Sequence, residues 1–395
     1  MGKTVCRGVA AGACVAIVAA GLIGLSAQVS SGLGEPFPGL ADSQLGLFNA
    51  GRAQFQVVEN PLTGLGPIFN GRSCAECHSV PITGGTAPSL DKRAHRFARR
   101  ADGAPFDSLL SRGGPFLQQF SIASDLPGCV LAPEVVPPEA TERSQRLPPS
   151  LFGLGSIEAI PDSQIMSRAD PTDANGDGIE GRANISNGVL GRFGWKAAGP
   201  TVLDFVALAM VAELGITNWA YPSEMLPQGV PIPAGCDVAA DLEDANASRL
   251  AALTSFVRFL APPPRGPITA QVTRGEDLFA QVGCTACHTP SMTTGPNATA
   301  ALNQVGVPLF SDLLIHYMGG ALDDHIVEGA AGGGRWRTAP LWGLRHRLFF
   351  MHDGRATDVT SAINAHRGES TPSRNAFFRL SSTDRNDVLA FLGSL

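Results

Sequence analysis

The sequence predicts a mainly α-helical chain of two domains, internally duplicated and carrying long loops. Three observations lead there. The pentad C-x-x-C-H occurs twice, at Cys74–His78 and at Cys284–His288. The segments that follow each pentad repeat in the same order. Between them "FLAPPPRGPITA" (259–270) interrupts any helical or strand pattern, because proline lacks the backbone donor and clashes with the preceding turn. The boundary is placed there, giving residues 40–262 as one domain and 263–395 as the other. A chain of 395 residues, 44% hydrophobic, is long enough for two such cores, and its 46 glycines and 30 prolines imply extensive loops. The formal charge of −6 and the lack of a basic patch interleaved with aromatics exclude nucleic acid as a partner.

The first 27 residues, "MGKTVCRGVAAGACVAIVAAGLIGLSA", place Lys3 and Arg7 before an apolar run and then small residues at a cleavage site after Ala27. This is the pattern of a secretory signal peptide and predicts an exported, periplasmic protein; a retained membrane anchor is the competing reading. Removal of residues 1–27 takes Cys6 and Cys14 with it. Of the six remaining cysteines, Cys129 and Cys236 stand outside the pentads. An oxidising compartment would let them pair, and two buried free thiols are the alternative.

Each pentad sets two thiols three residues apart on a helical turn, where they can form thioethers with the two vinyl groups of a haem. The adjacent His78 or His288 then reaches the iron. Zinc would need a second ligand pair nearby, and a thioredoxin-like pair would need no histidine. Two covalently bound haems c are therefore expected, one in each cytochrome c-like domain. A helical signal precedes each pentad. In "TRGEDLFAQVGCTACH" Thr273 and Glu276 have capping-box spacing, and Leu278, Phe279 and Val282 supply an apolar face; "GLGPIFNGRSCAECH" is the looser version.

After the first pentad comes "RLPPSLFGLGSIEAIP", and after the second "RTAPLWGLRHRLFFMHDGRATDVTSAINAH". Arg146, Pro149, Leu151 and Gly153 match Arg337, Pro340, Leu341–Trp342 and Gly343, and Trp195 falls where His352 falls. The order pentad, R-x-x-P loop, turn, helix is thus given twice. The first half also carries "ADPTDANGDGIEGRANISNG" (169–188). Its Asp173, Asn175, Asp177 and Glu180 resemble the front of an EF-hand loop and suggest Ca²⁺, although Asn184 stands where the late bidentate glutamate belongs. An Asx-rich turn that binds nothing is the plainer reading.

Near the C-terminus, Met351, His352 and His366 are all potential iron ligands. In a helix over 358–366, Val359, Ala362, Ile363 and His366 share one face, so His366 is either a ligand or a satisfied core histidine. Met351 sits in the apolar run "LFFM", and His352 suits a loop anchor. His316 and His325 suit haem propionates or the surrounding loops, with Met318 a weaker ligand candidate. In the first half the matching helix 201–214 offers only Met210 and Glu213, and His95 is the one nearby imidazole. An open or water-bound iron is expected there.

Over residues 45–395 the chain resembles the di-haem c-type oxidoreductases, a peroxidase and thiol-oxidoreductase-like family related to bacterial di-haem cytochrome c peroxidase and MauG. The resemblance is carried by "CAECH", "LPPSLFGLGSIEAIPD", "ADPTDANGDGIEGRAN", "GRFGWKA", "SDLLIHYMGG", "WRTAPLWGL", "MHDGRA" and "HRGES". It implies that the C-terminal haem takes electrons from a donor, such as a small c-type cytochrome, and the N-terminal haem reacts with peroxide or a small oxidisable substrate. It implies His366, fourteen residues after His352, as sixth ligand of the second haem. Methionine is common there in the peroxidases, and bis-histidine coordination would hold the haem at lower potential. It implies Glu213 as the distal acid–base group, with Glu158 competing, and Trp195 as the residue between the haems, although "WKAA" replaces the usual W-D-G-R. It also implies calcium near the domain interface. An oxidase acting on an organic or protein substrate, and a non-catalytic electron carrier with both irons capped, are the alternatives. A thiol-oxidising role has only the distant Cys129 and Cys236 to draw on.

Overall fold

The computed structural model describes residues 32–100, 105–239 and 248–395; the expected leader, residues 1–27, lies outside them. Ten α-helices are found among these residues: α1 (Asp42–Phe55), α2 (Cys74–Cys77), α3 (Leu154–Glu158), α4 (Asp162–Met166), α5 (Val202–Leu214), α6 (Ser248–Phe259), α7 (Ala270–Gln281), α8 (Val359–Ala365), α9 (Thr371–Arg379) and α10 (Ser382–Leu392). They are joined by long loops, single 3₁₀ turns and five two- or three-stranded antiparallel sheets. The fold is therefore mixed α/β with helix predominating, and the small sheets add to the mainly helical expectation. Their strands are two to five residues long, too short to show alternation in a sequence.

Each half is built on one helix pair. α1 lies against α6 and α7 against α10. The buried faces follow helical spacing, Phe48, Gly51 and Phe55 in α1 and Val272, Gly275, Leu278 and Phe279 in α7. Glycine lets the backbones touch: a Cβ on Gly51 would lie 2.0 Å from the Ala252 carbonyl, and one on Gly275 would lie 1.9 Å from that of Asp387. Phe55 and Phe279 then meet Phe256 and Phe391 at 4.9 and 5.2 Å between ring centroids. Such ring pairs add about 0.5–1.5 kcal/mol beyond area burial.

Two expected helix starts are corrected. The helix before the first pentad is α1, well upstream, because Pro61, Gly64, Gly66 and Pro67 make 56–73 a loop. The cap of α7 lies four residues before the expected one: Thr269, not Thr273, accepts the Val272 amide, and Thr273 lies inside the helix. The matched loops do correspond locally. Arg146 and Arg337 each end a short strand, and Gly153 and Gly343, at φ 73° and 68°, each donate to a carbonyl at the end of the half's last segment, Leu260 and Leu395.

The halves meet at a buried ionic junction. Arg146 (4% exposed) binds Asp324 at 2.7 Å and Glu328 at 2.5 Å; Ser144 and Lys196 also reach Asp324, at 2.8 and 3.2 Å. Lys196 is capped further by the carbonyls of Gly332 and Gly333. Burial alone would raise the Glu328 carboxyl, but Arg146 and Arg96 outweigh it and bring it down to about 2. Truncating Arg146 to alanine removes the main counter-charge of Asp324 and Glu328, leaving them to Lys196 and Arg96, and is expected to cost about 3–5 kcal/mol in denaturant titrations. Because the Glu328 pKa is depressed on folding, its stabilisation is complete above its unfolded value. It should be lost as pH falls from about 4.5 to about 2, a loss absent in Glu328→Gln.

Candidate functional site

Downstream of α7, Gly283 at φ 86° turns the chain into a single 3₁₀ turn, Cys284–Ala286, and the His288 amide closes back on the Cys284 carbonyl at 2.9 Å. Cys284, Cys287 and His288 thereby line an apolar cavity of about 200 Å³. Val359, Ala362, Ile363 and His366 of the α8 segment line the same cavity, so the predicted helical face is turned wholly toward the pentad. His288 Nδ1 bonds the Phe310 carbonyl at 2.9 Å and His366 Nδ1 bonds the Ala362 carbonyl at 2.8 Å. A carbonyl can only accept, so Nδ1 carries the proton on each ring and Nε2 keeps the lone pair. Burial holds His288 down to about 4 and lowers His366 as well, so both are neutral donors at physiological pH.

The first pentad forms α2, capped by Ser73 Oγ, which accepts the Glu76 amide at 3.2 Å. His78 repeats the arrangement of His288: its amide closes on the Cys74 carbonyl at 3.0 Å, and its Nδ1 lies 3.1 Å from the Gly85 carbonyl. Burial brings it to about 4. Phe55 stands 6.2 Å from the His78 ring and Phe279 6.1 Å from His288. Burial pushes the Cys74, Cys77 and Cys284 thiols up to about 12 and raises Cys287, the opposite of a thiolate prepared for zinc or disulfide exchange.

Glu213, in the last turn of α5, belongs to this first site. Its carbonyl accepts the Asn70 and Gly71 amides at 2.7 and 3.1 Å, and its Oε2 accepts Asn70 Nδ2 at 2.9 Å. Burial raises its pKa against the pull of Asn70 and Arg96, and its charge is felt at the Cys77 thiol.

Between the two sites runs the segment 146–149. Trp195 Nε1 donates to the Leu147 carbonyl at 2.7 Å, and the Leu147 amide donates to the His352 carbonyl at 2.7 Å. Trp195 lines the 200 Å³ cavity and also a smaller one of about 40 Å³, shared with Thr86, Pro149, Arg337, Arg347 and Met351. His352, held neutral near pKa 4 by burial, is stacked on Trp336 at 3.7 Å.

The remaining candidates are placed as follows. Both Glu158 oxygens are committed: Oε2 binds Arg258 at 2.5 Å, and Oε1 caps α5 through the Val202 amide at 2.8 Å. In the 173–180 loop, Asp173 and Asp177 accept the loop's own amides, Asn175 bonds Asp177, and Glu180 pairs with Arg182 and Arg335 at 2.6 and 2.5 Å. Glu180 would have to leave both arginines to join Asp173, Asn175 and Asp177 around one ion. His316 is clamped between Asp312 and Glu369, both at 2.8 Å; these bonds overcome burial and raise it to about 12. His325 is exposed beside Asp323, His95 lies in a strand opposite Gln145 and Leu117, and Met210 is packed in the core. Met318 and Met351 line the large cavity. Cys129 and Cys236 form a disulfide.

Sequence reasoning missed Trp336, Arg347 and the carbonyls that orient each imidazole. Backbone acceptors leave no sequence signal. The shared spacing G-x-x-x-F in α1 (Gly51, Phe55) and α7 (Gly275, Phe279) would have located the first helix.

Residues 141–395 match the family model described as "Di-haem oxidoreductase, putative peroxidase". No curated protein matches the chain. Similar solved structures include the hydrazine synthase of Kuenenia stuttgartiensis, at 15% identity over 100% of this chain and 99% of that one, with TM-score 0.42. The diheme peroxidase BthA of Burkholderia thailandensis is 16% identical over 93% and 90%, with TM-score 0.41. A MauG-like protein associated with microbial copper homeostasis is 16% identical over 94% of each chain, with TM-score 0.39.

The two glutamates separate by experiment. Glu158→Ala removes a helix cap and a bidentate ion pair, so it should cost about 1–3 kcal/mol in thermal or chemical unfolding. The visible spectrum should be unaltered.

Proposed function

The chain belongs to the di-haem oxidoreductase family, and from that membership and its two imidazole–thiol sites we propose that it is an exported, peroxidase-like enzyme carrying two haems c. The donor set fits the cofactor. At each site two protonated, partly buried thiols lie beside a neutral imidazole. His288 bonds one carbonyl through Nδ1, which leaves Nε2 to ligate, whereas His78 also bonds the Pro149 carbonyl and would exchange that bond for the iron. At the second site an apolar cavity separates the donor group from further side chains able to close over a flat ring. Cys74, Cys77 and His78 would hold the first haem, and Cys284, Cys287, His288 and His366 the second. Bound haem supplies the iron redox couple and the centre at which peroxide is cleaved.

The observation that carries the reading is the different completion of the two sites. The second adds a neutral imidazole, His366, on its cavity wall; the first adds a half-buried carboxylate, Glu213. Desolvation raises the proton affinity of Glu213, and Asn70 fixes its orientation, which suits a group that takes a proton from one peroxide oxygen and returns it to the other. Trp195 lies on the partition between the sites, oriented by Leu147, and is the proposed electron path. A small c-type cytochrome is the proposed donor. The Cys129–Cys236 disulfide accords with a periplasmic location. The two halves, 40–262 and 263–395, are read as diverged copies, on the paired glycine turns and the paired Phe–His contacts.

Ferric EPR with visible spectroscopy tests this directly. His366→Ala should abolish the low-spin signal of the second haem while two haems stay attached; an unchanged signal refutes the ligand. Glu213→Gln should lower kcat for peroxide with a reduced cytochrome donor by about 10²–10⁴-fold and leave that signal in place. A wild-type protein with both irons inert to cyanide and peroxide would be an electron carrier. Oxygen uptake on organic substrates without peroxide turnover would make it an oxidase.

A further inference from the structure

Arg337 and Arg347 stand apart from the other buried arginines. Arg146 and Arg335 are each neutralised by carboxylates. Arg337 donates once, from Nε to the Gly194 carbonyl at 2.9 Å, and Arg347 once, from Nη2 to the Pro340 carbonyl at 2.9 Å. A guanidinium has five N–H donors. Arg337 Nη1 and Arg347 Nε are buried with no partner, and among the described residues neither side chain forms an ion pair. Asp312 attracts Arg337 from a distance, but its carboxylate is already engaged by His316 and the Leu314 amide.

The two charges also repel each other. Burial, with Arg347 adding to it at Arg337, brings both down to about 10. Two partly buried like charges, each with an enclosed donor nitrogen that has no partner among the described residues, suit an anion from outside the chain. Both residues line the cavity that contains Cys284, Cys287, His288 and His366, and both reach the smaller cavity beside Trp195. The forked geometry of each guanidinium matches a carboxylate.

We infer that Arg337 and Arg347 form a two-carboxylate site that holds the propionates of the second haem and raises its reduction potential. This rests on the reading that the cavity holds haem c. With Cys284 and Cys287 holding the vinyl groups of that ring, Arg337 and Arg347 would hold its propionates beside the smaller cavity that Trp195 also lines. Nothing about the pentad itself predicts this pair. Two imidazole ligands are neutral, so the propionates would be the uncompensated negative charges near the iron; the arginines would offset them and place charged haem substituents beside the partition between the two sites.

The test uses the holoprotein, with Arg337→Gln, Arg347→Gln, the double variant and Arg337→Lys. Haem content is read from the alkaline pyridine spectrum, coordination from the low-spin signal, and the midpoint of the second haem by spectroelectrochemistry. Each Gln variant should keep two haems and the low-spin signal, yet show about a tenfold lower ratio of reduced to oxidised second haem at a fixed applied potential. For a one-electron couple that is about 59 mV. The double variant should fall further, and Arg337→Lys, which restores charge without the fork, should recover most of the loss. Midpoints of both Gln variants within twofold of wild type on the same ratio overturn the inference. If the Gln variants do not fold, Lys at both positions keeps the charge but removes the fork, and the contact is then read from the propionate bending mode. A shifted propionate bending mode in resonance Raman supports the contact, and an unshifted mode refutes it. Wild-type protein that lacks haem in the pyridine spectrum refutes the cofactor reading itself, before any variant is compared.

Discussion

The contact between Arg146 and the carboxylates of Asp324 and Glu328 organises the rest of the molecule. It is buried, it joins the two halves, and it fixes the first residue of a four-residue segment that touches almost everything functional. The next residue, Leu147, receives the Trp195 indole and donates to His352. Pro148 receives Thr86, and the Pro149 carbonyl acts on His78. A buried ion pair gives little net stability, but breaking one is costly, and that asymmetry resists sliding of one half against the other. On the proposed reading, two redox sites held at constant separation would need such a junction more than they need stability.

Around that junction the chain uses one local device twice. A helical turn presents two thiols, and a backbone carbonyl holds the adjacent imidazole through Nδ1. Phenylalanine from the preceding helix supports the ring in both cases. What differs is the helix that completes each site. α8 delivers a neutral imidazole, and α5 a carboxylate whose proton affinity is raised by burial. Electron storage asks for a saturated iron and small reorganisation; peroxide chemistry asks for a vacant coordination position with a proton carrier beside it. The same scaffold can serve both because only one residue on the completing helix has to change.

Charge is distributed with similar economy. Glu158, which by position competed for an acid–base role, is tied to Arg258 and to the first turn of α5, so it orients the helix that carries Glu213. Glu180 in the insertion braces Arg335, which braces Glu369, which holds His316 against the second pentad. The insertion is thus coupled to the second site through carboxylate–cation contacts. Arg337 and Arg347 are the exception that points to a partner from outside the chain.

The sequence by itself determined what depends on local spacing. The pentads, the proline break, the helix over 201–214 and the stripe Val359, Ala362, Ile363, His366 are covalent or one-turn patterns, and periodicity exposes them. It located the helix before the second pentad but misplaced its start, since two threonines four residues apart, Thr269 and Thr273, both suit a cap. Tertiary structure decided whatever depends on a partner distant in the chain. Only the fold shows that the Glu158 oxygens are taken, that Glu180 faces arginines, that Cys129 meets Cys236, and that Arg337 and Arg347 share a cavity without a carboxylate. The physical reason is that spacing specifies which side chains share a face. Burial and pairing, which decide their protonation and hence their chemistry, arise only when separate faces are brought together.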